Sequence, residues 1–426
     1  MQEVLKGASS ALIIRVLGTV LGFVVSVMIA RLLGAEGSGI YFLTVSVVMI
    51  ASTVGRLGFD NTVVRFIAAH ASQKEWADVY FVYRVAIKII GLASALLSAL
   101  LVVFASWLAN DVFGKPFMEV PLQIGAAAVL PFSLLMIHAE CLRGLKKIPS
   151  SQWIKTVLIS LVCLLLLYPS ISLWEANGAV ISYAAAVIIT AIVAWLLWKR
   201  VWVGIEKDQH VSSVSTEKLL QSSWPLFAVM MTGLVMQQAA TIFLGVWGTA
   251  EDVGVFNIAN RVSALLLFPL MAMISILTPK FSEMYKNDEM SELKKLARKS
   301  SRILIMLSVP IAALVAMYSE WILGFFGAAF IKGQTVLIIL LVGVVVNAAA
   351  GAVGNILMMS GNERDVRNIT FIAALSTVVM LFFFIPVWGS IGAAAAVAIG
   401  VSMQNILMVW RVYKKFGFMP CTVGKA

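Results

Sequence analysis

The sequence predicts an all-α polytopic membrane protein of about twelve transmembrane helices, arranged as two six-helix bundles. Three observations predict it. Of 426 residues, 61% are hydrophobic and only 12% charged, with a mean hydropathy of +0.96; a soluble domain is about 45–50% apolar and 25% charged. Apolar runs of the roughly 20 residues that a membrane helix needs recur twelve times along the chain. Residue patterns of the first half also return in the second at a nearly constant distance.

In order, the spans are 10–31, 38–58, 84–108, 120–141, 152–174, 177–198, 222–247, 254–278, 302–324, 334–358, 368–388 and 390–411. The first two are joined by a tight Gly-rich turn, LLGAEGSG, and the last two are divided at Trp388-Gly389. Lys and Arg outside the spans collect in segments 1–9, 59–83, 142–151, 199–221, 279–301, 359–367 and the tail; the opposite loops hold Arg31, Lys115 and Lys332. This asymmetry places both termini in the cytoplasm. The net charge of +11 is therefore first a topology signal and implies no nucleic acid. Segment 279–301 reads as a cytoplasmic surface helix beside anionic lipid.

The repeat is visible residue by residue. Ala35-Glu36 and Gly39-Ile40-Tyr41 return as Ala250-Glu251 and Gly254-Val255-Phe256 at an offset of 215, which also sets Arg65-Phe66 on Lys280-Phe281. Trp107 returns as Trp321, and Trp174 with Gly178-Ala179 as Trp388 with Gly392-Ala393, at an offset of 214. The expected organisation is an N-terminal bundle over 1–200, a cytoplasmic linker over 201–220 and a C-terminal bundle over 221–426. Six spans is an even number, so the two bundles are parallel repeats about an axis along the membrane normal. Such bundles enclose a central cavity, and rocking one against the other gives alternating access.

The loops are too short to form a catalytic domain, and no P-loop, HExxH, GxSxG or Asp-rich metal motif is present, so neither ATP hydrolysis nor other enzyme activity is expected. Cys141, Cys163 and Cys421 form no CxxC pair and read as small apolar filler.

A charge at the bilayer centre costs roughly 2.5–3.5 kcal/mol, so charges inside spans carry the most information. Arg15 lies in the first span, with Gly18, Thr19, Gly22 and Ser26 behind it at helical spacing. Two readings are open: small-residue packing with Arg15 snorkelling to the interface, or a cavity wall with an inward cation. Arg261 lies in the eighth span beside Asn257 and Asn260, a cluster that suggests water or an anion nearby. Arg56, near the end of the second span, reads equally as an interface anchor or a cavity residue. Gly233, Gln237 and Thr241 share a face of the seventh span, as Asn347, Gly351 and Asn355 do in the tenth. Interhelical hydrogen bonding explains either stripe alone; both together with Arg261 fit a polar lumen. Among acids and histidines, Glu140, His138 and Asp60 are candidates for proton or sodium coupling. Glu140 also reads as an interfacial partner of Arg143, and His138 points to a different helix face.

The run LGTVLGFVVSVMIARLLGAEGSGIYFLTVSVVMIASTVGRLGFDNTVVRFIA resembles the N-terminal signature of the polysaccharide transporter family. These are Wzx-type flippases of the multidrug/oligosaccharidyl-lipid/polysaccharide (MATE-like) exporter superfamily. The run DVGVFNIANRVSALLLFPLMAMISILTPKFSEMYK is similar to the same family's eighth-helix region, with Pro279 near its end. The resemblance implies a flippase for an undecaprenyl-pyrophosphate-linked oligosaccharide, an O-antigen or similar repeat unit, in the bacterial inner (cytoplasmic) membrane. It would work by alternating access without ATP and without a cofactor, with H+ or Na+ coupling left open. Its partners would be the lipid-linked glycan, membrane lipids and glycan polymerase machinery. On the same resemblance Arg15, Arg261 and Arg56 would meet the pyrophosphate, whose oxygens suit forked guanidinium pairs. The amide and hydroxyl side chains would suit sugar hydroxyls. The alternative is a multidrug or cation exporter of the same fold. That branch tends to use acids deep in its first bundle, where this chain has Arg15; and the related lipid II flippases usually carry two further helices. Both departures favour the oligosaccharide branch.

Overall fold

Within hydrocarbon a backbone must satisfy its own hydrogen bonds, which long apolar runs can do as helices. The computed structural model describes residues 2–203 and 214–420, and among them there is no strand. The principal helices are α1 (Gln2–Gly55), α2 (Phe59–Ser72), α3 (Trp76–Val103), α4 (Glu119–Gly144), α5 (Ile159–Val203), α6 (Thr216–Trp247), α7 (Ala250–Ala264), α8 (Phe268–Lys286), α9 (Met290–Met317), α10 (Gln334–Ala350), α11 (Val353–Met359) and α12 (Glu363–Phe416).

Nine stretches among the described residues are long and apolar enough to cross a membrane. Three of them contain non-helical residues, Gly34 in α1, Trp174 and Glu175 in α5, and Gly389 in α12. These fall where the sequence places the loops between spans 1 and 2, 5 and 6, and 11 and 12. A straight helix of the 54 residues of α12 would be about 81 Å long, more than twice the roughly 30 Å hydrocarbon core. Instead the chain folds back. Ser182 Oγ donates to the Leu166 carbonyl at 3.1 Å across the α5 turn. Gln404 Nε2 reaches Thr370 Oγ1 at 3.4 Å across the α12 turn. Both hairpins close on a glycine: a Cβ on Gly178 would overlap the Ser170 carbonyl, and one on Gly392 would overlap that of Phe384.

That shared contact is one sign that the repeat exists in the backbone. Left-handed residues also recur: Lys74 (φ 63°) with Asp288 (59°) and Glu175 (48°) with Gly389 (55°) at an offset of 214, Lys146 (61°) with Gly361 (76°) at 215, and Gly114 (60°) with Gly327 (136°) at 213. The changes of offset have local causes. π-Helical turns at Leu108–Val112 and Trp153–Leu158 each add one residue to the first half, as a π-turn inside an α-helix does. In the second half Gly351 and Ala352 interrupt the helix between α10 and α11, whereas its counterpart α4 runs unbroken.

The chain divides into two compact units, Met1–Leu234 and Val235–Ala426. The division falls within α6; of the expected linker 201–220, residues 204–213 lie outside the described residues, as does Cys421. Phe59, Val63, Ile67, Val82, Ile90 and Leu135 are fully buried in the core of the first unit. Phe281, Leu293, Val353, Leu357 and Val412 form a core of the second.

Four expectations need correction. Segment 59–83 is not a loop, because α2 buries Phe59, Val63 and Ile67 at four-residue spacing beneath the first unit. The eighth span is not one helix, since a 3-10 turn at Leu265–Leu267 separates α7 from α8. Segment 279–301 is not one surface helix: α8 ends at Lys286 and α9 starts at Met290, with Asp288 left-handed between them. The tenth span breaks at Gly351 (φ 70°, ψ −141°), so Asn347 and Asn355 do not share a helix face.

Candidate functional site

In the first unit α1 ends at Gly55, and the chain turns through Leu57 (φ 48°) and Gly58 (φ 79°) before α2 begins. Gly58 lies so close to the start of α6 that a Cβ there would stand 2.6 Å from the Phe227 amide nitrogen. Arg56 occupies this break and is 8% exposed. Its Nε donates to Asp60 Oδ2 at 3.0 Å, its Nη2 to Thr53 Oγ1 at 3.2 Å, and its guanidinium lies 5.9 Å from the Phe132 ring centre. Arg56 Nη1 and Asp60 Oδ1 are buried without a hydrogen-bond partner. The structure therefore joins two predicted residues, Arg56 and Asp60, in one buried ion pair, which their four-residue spacing on the chain could have signalled.

Asn61, the next residue, accepts from Arg143 Nη2 at 3.1 Å. Arg143 Nε in turn stands 2.7 Å from Glu140 Oε2, and Lys155 Nζ pairs with the other oxygen of that carboxylate. The expected Glu140–Arg143 pair is present. Lys155 is an addition that hydropathy hid, because it sits in the π-helical turn Trp153–Leu158 at the start of an apolar run. His138 stands apart from this network. Its Nδ1 donates to the Leu134 carbonyl at 2.6 Å, so in the neutral tautomer its Nε2 accepts from the Tyr83 hydroxyl at 3.2 Å.

Arg15 is exposed and, among the described residues, has no ion pair. One turn on, Gly18 packs so closely on the π-turn that a Cβ would stand 2.5 Å from the Thr156 side chain. The hydroxyls of the Arg15 stripe bond to their own helix, Thr19 to the Arg15 carbonyl at 2.9 Å and Ser26 to that of Gly22 at 2.8 Å.

In the second unit α6 and α7 meet through a hydrogen bond between Asn257 Nδ2 and Thr241 Oγ1 at 3.3 Å, with Asn257 Nδ2 also on the Val253 carbonyl at 2.9 Å. Thr241 is buried, Gln237 is exposed, and Asn257, Asn260 and Arg261 are half-buried on α7. Arg261 lies one turn before the 3-10 break at Leu265. Asn347 and Asn355 are half-buried on opposite sides of the Gly351 break. Of the predicted residues Asn257 thus meets Thr241, and the two asparagines of the tenth span do not form a stripe.

Among the described residues His70, Glu75 and Asp78 bring metal-competent atoms within 4.8 Å of one another. Glu75 Oε2 holds the His70 imidazole at 2.5 Å, and Asp78 Oδ1 accepts from the Val214 amide at 3.3 Å. The group thus serves as an internal polar clasp for the chain entering α6.

Set beside known proteins, the sequence profile of the family described as polysaccharide biosynthesis protein matches residues 4–285. The chain belongs to this family. A second profile, MatE, matches residues 225–384 of the same family member. A Haloferax volcanii protein named a probable low-salt glycan biosynthesis flippase, Agl15, is 22% identical over 95% of this chain and 82% of its own length. A Shigella flexneri protein provisionally named an O-antigen transporter is 23% identical over 90% of this chain and 91% of its own. Among solved structures, the lipid II flippase MurJ in an inward closed conformation superposes with a TM-score of 0.76 at 14% identity, covering 94% of this chain and 86% of MurJ. An inward-facing multidrug resistance transporter of the MATE family superposes with a TM-score of 0.75 at 16% identity, covering 98% and 100%. The fold is that of the superfamily to which both belong, and this family member is a multi-pass membrane protein.

Proposed function

We propose that the chain is a flippase that carries a polyprenyl-pyrophosphate-linked oligosaccharide across the bacterial cytoplasmic membrane, with both termini in the cytoplasm, by alternating access and without ATP. The observation that carries this reading is the charge balance of the candidate residues. Asp60 and Glu140, the candidate acids of the first unit, are each paired with arginine or lysine. Arg15 has no such acidic partner among the described residues, and Arg261 follows Asn257 and Asn260 on α7. Neutralised acids together with guanidinium groups suit an anionic headgroup, because charge-assisted forked hydrogen bonds to phosphate strengthen as water is excluded. Asn257, Asn260, Gln237, Thr241, Asn347 and Asn355 would then meet sugar hydroxyls. Family membership and the glycan flippases among the relatives support the same substrate class. Glycan polymerase machinery would consume the product.

The test is display of the surface glycan in cells whose only flippase is Arg15→Ala or Arg261→Ala. Loss of display at normal protein level is the expected result; wild-type display in both variants would sink the assignment. The MATE-like alternative is separated by efflux of cationic dyes, which this reading expects to be absent.

A further inference from the structure

The repeat makes the two units comparable residue by residue at one place, the turn after the fourth span and its counterpart after the tenth. Lys146 and Gly361 are both left-handed. Lys147 N bonds to the Leu142 carbonyl as Asn362 N bonds to that of Leu357, and Lys146 N to Arg143 as Gly361 N to Met358. The offset is 215 throughout, and after the π-helical turn it becomes 214. In the second unit a salt-bridge clasp closes the seam between this turn and the end of α12. Asp365 Oδ1 accepts from Arg411 at 2.8 Å, Asp365 Oδ2 from Lys415 at 2.8 Å, and Lys415 also reaches Asn362.

The first unit has none of these groups. Ser150 stands for Asp365, Leu197 for Arg411, Val201 for Lys415 and Lys147 for Asn362. Beside this turn there is a cavity of about 340 Å³, lined by Lys146, Lys147, Ser72, Trp76, Leu145 and Val201 among others. Both lysines are exposed, and among the described residues neither forms an ion pair. The cavity thus combines two cations, a hydroxyl, an indole and an apolar floor, with no carboxylate among its lining residues.

We propose that this cavity binds the headgroup of an anionic glycerophospholipid, its phosphate held by Lys146 and Lys147. The turn leaves one membrane helix and enters the next, so the cavity lies at the membrane boundary, and the positive-inside pattern puts that boundary on the cytoplasmic leaflet. Basic pockets between transmembrane helices on this side take anionic lipid headgroups. Lys146 and Lys147 face the phosphate, Trp76 supplies an indole of the kind enriched at membrane interfaces, and the acyl chains follow Leu145 and Val201 toward the bilayer. The site is separate from the glycan path and does not depend on what the chain transports.

The test is native mass spectrometry of the delipidated full chain, titrated with dioleoyl phosphatidylglycerol, dioleoyl phosphatidylcholine or inorganic phosphate. Wild type is expected to retain phosphatidylglycerol in preference to phosphatidylcholine. Lys146→Ala/Lys147→Ala should weaken this binding about thirtyfold, on the scale of two lysines at an anionic surface. Ser150→Asp, which supplies the missing carboxylate and keeps both lysines, should also weaken it. Lys294→Ala/Lys295→Ala, on the basic surface of the second unit, should leave it unchanged. Equal loss in that control would show diffuse surface charge and overturn the site. So would an undiminished affinity in Ser150→Asp, or equally tight binding of inorganic phosphate, which would remove the lipid. A rise in affinity in Glu206→Gln/Asp208→Asn would mean that the chain's own carboxylates compete for the cavity, and would also overturn the proposal.

Discussion

Asp60→Asn removes one charge from the buried pair at the α1–α2 break while nearly preserving side-chain volume. The guanidinium of Arg56 is then left with the Thr53 hydroxyl and the Phe132 ring face. Side-chain exposures of 9% for Arg56 and 14% for Asp60 put the pair toward the buried limit, where removing one partner costs about 3–5 kcal/mol. Interhelical polar contacts in membranes average nearer 0.6 kcal/mol, because the unfolded helices find other partners. Arg56 and Asp60 flank a break that no isolated helix would adopt, so we expect about 3 kcal/mol. On the scale of about 2–4 °C per kcal/mol for domains of this size, the apparent melting temperature should fall by about 6–12 °C. Fluorescence-detected size exclusion after heating measures it. Arg56→Met should cost as much, and Arg56→Met/Asp60→Leu should recover more than half of either loss, since no charge is then stranded. Two small, additive single-variant effects would refute the buried-pair argument.

Three further outcomes follow from the same geometry. Glu140→Gln strands Lys155 and Arg143 together and should destabilise by about 3 kcal/mol; adding Lys155→Met should restore part of that in the same melting assay, and an unchanged double variant would contradict the pairing. Tyr83→Phe removes the hydroxyl that His138 Nε2 accepts from and leaves a buried acceptor unmet, for a loss of about 1–3 kcal/mol. A Tyr83→Phe protein as stable as wild type would mean that water replaces the hydroxyl. Gly178→Ala and Gly392→Ala each force a Cβ onto a carbonyl and should cost about 1–3 kcal/mol, seen as lost monodisperse protein, whereas Gly91→Ala, with open space around it, should be silent.

The parts of the fold that could be read in advance were those written in hydropathy and in repeated landmarks. The loops at Gly34, Trp174-Glu175 and Gly389 fall where apolar length alone requires a reversal, since helices of that length could not stay within one bilayer. The interruption at Leu265–Leu267 did carry a signal, Pro269 in the first turn of α8, where a proline starts a helix. The one at Gly351 could not be read, because apolar residues flank it and no proline marks it. Helix α2 was hidden for the opposite reason: it is too short and polar to span, and only its Phe59–Val63–Ile67 stripe reveals that it is packed. The candidate site divides in the same way. Glu140–Arg143 was within reach because residues three or four apart on a helix are neighbours; Arg56 and Asp60 are as near along the chain, but the break at Leu57-Gly58 rather than a helix brings them together. Lys155, Tyr83 and Asn61 come from elsewhere in the chain, and one sequence carries no signal that pairs them with Glu140, His138 and Arg143.

The π-helical turn at Trp153–Leu158 explains why the two halves can share a fold and still differ in chemistry. One added residue rotates everything before it by about 100° relative to everything after it, since an α-helix turns once in 3.6 residues. Beyond the turn the hairpin geometry matches its counterpart, down to the Gly178–Ser170 and Gly392–Phe384 contacts. Within it, Lys155 reaches Glu140 and Thr156 meets Gly18 of α1, contacts for which the regular start of α12 has no equivalent residue pair. Before it, the turn Lys146–Lys147 keeps the backbone of Gly361–Asn362 but is followed by Ser150 in place of Asp365. A single-residue insertion thus separates a conserved hairpin from a diverged cytoplasmic rim. It also sets Lys155, which pairs with Glu140, about two turns along the chain from the open lysine-lined cavity.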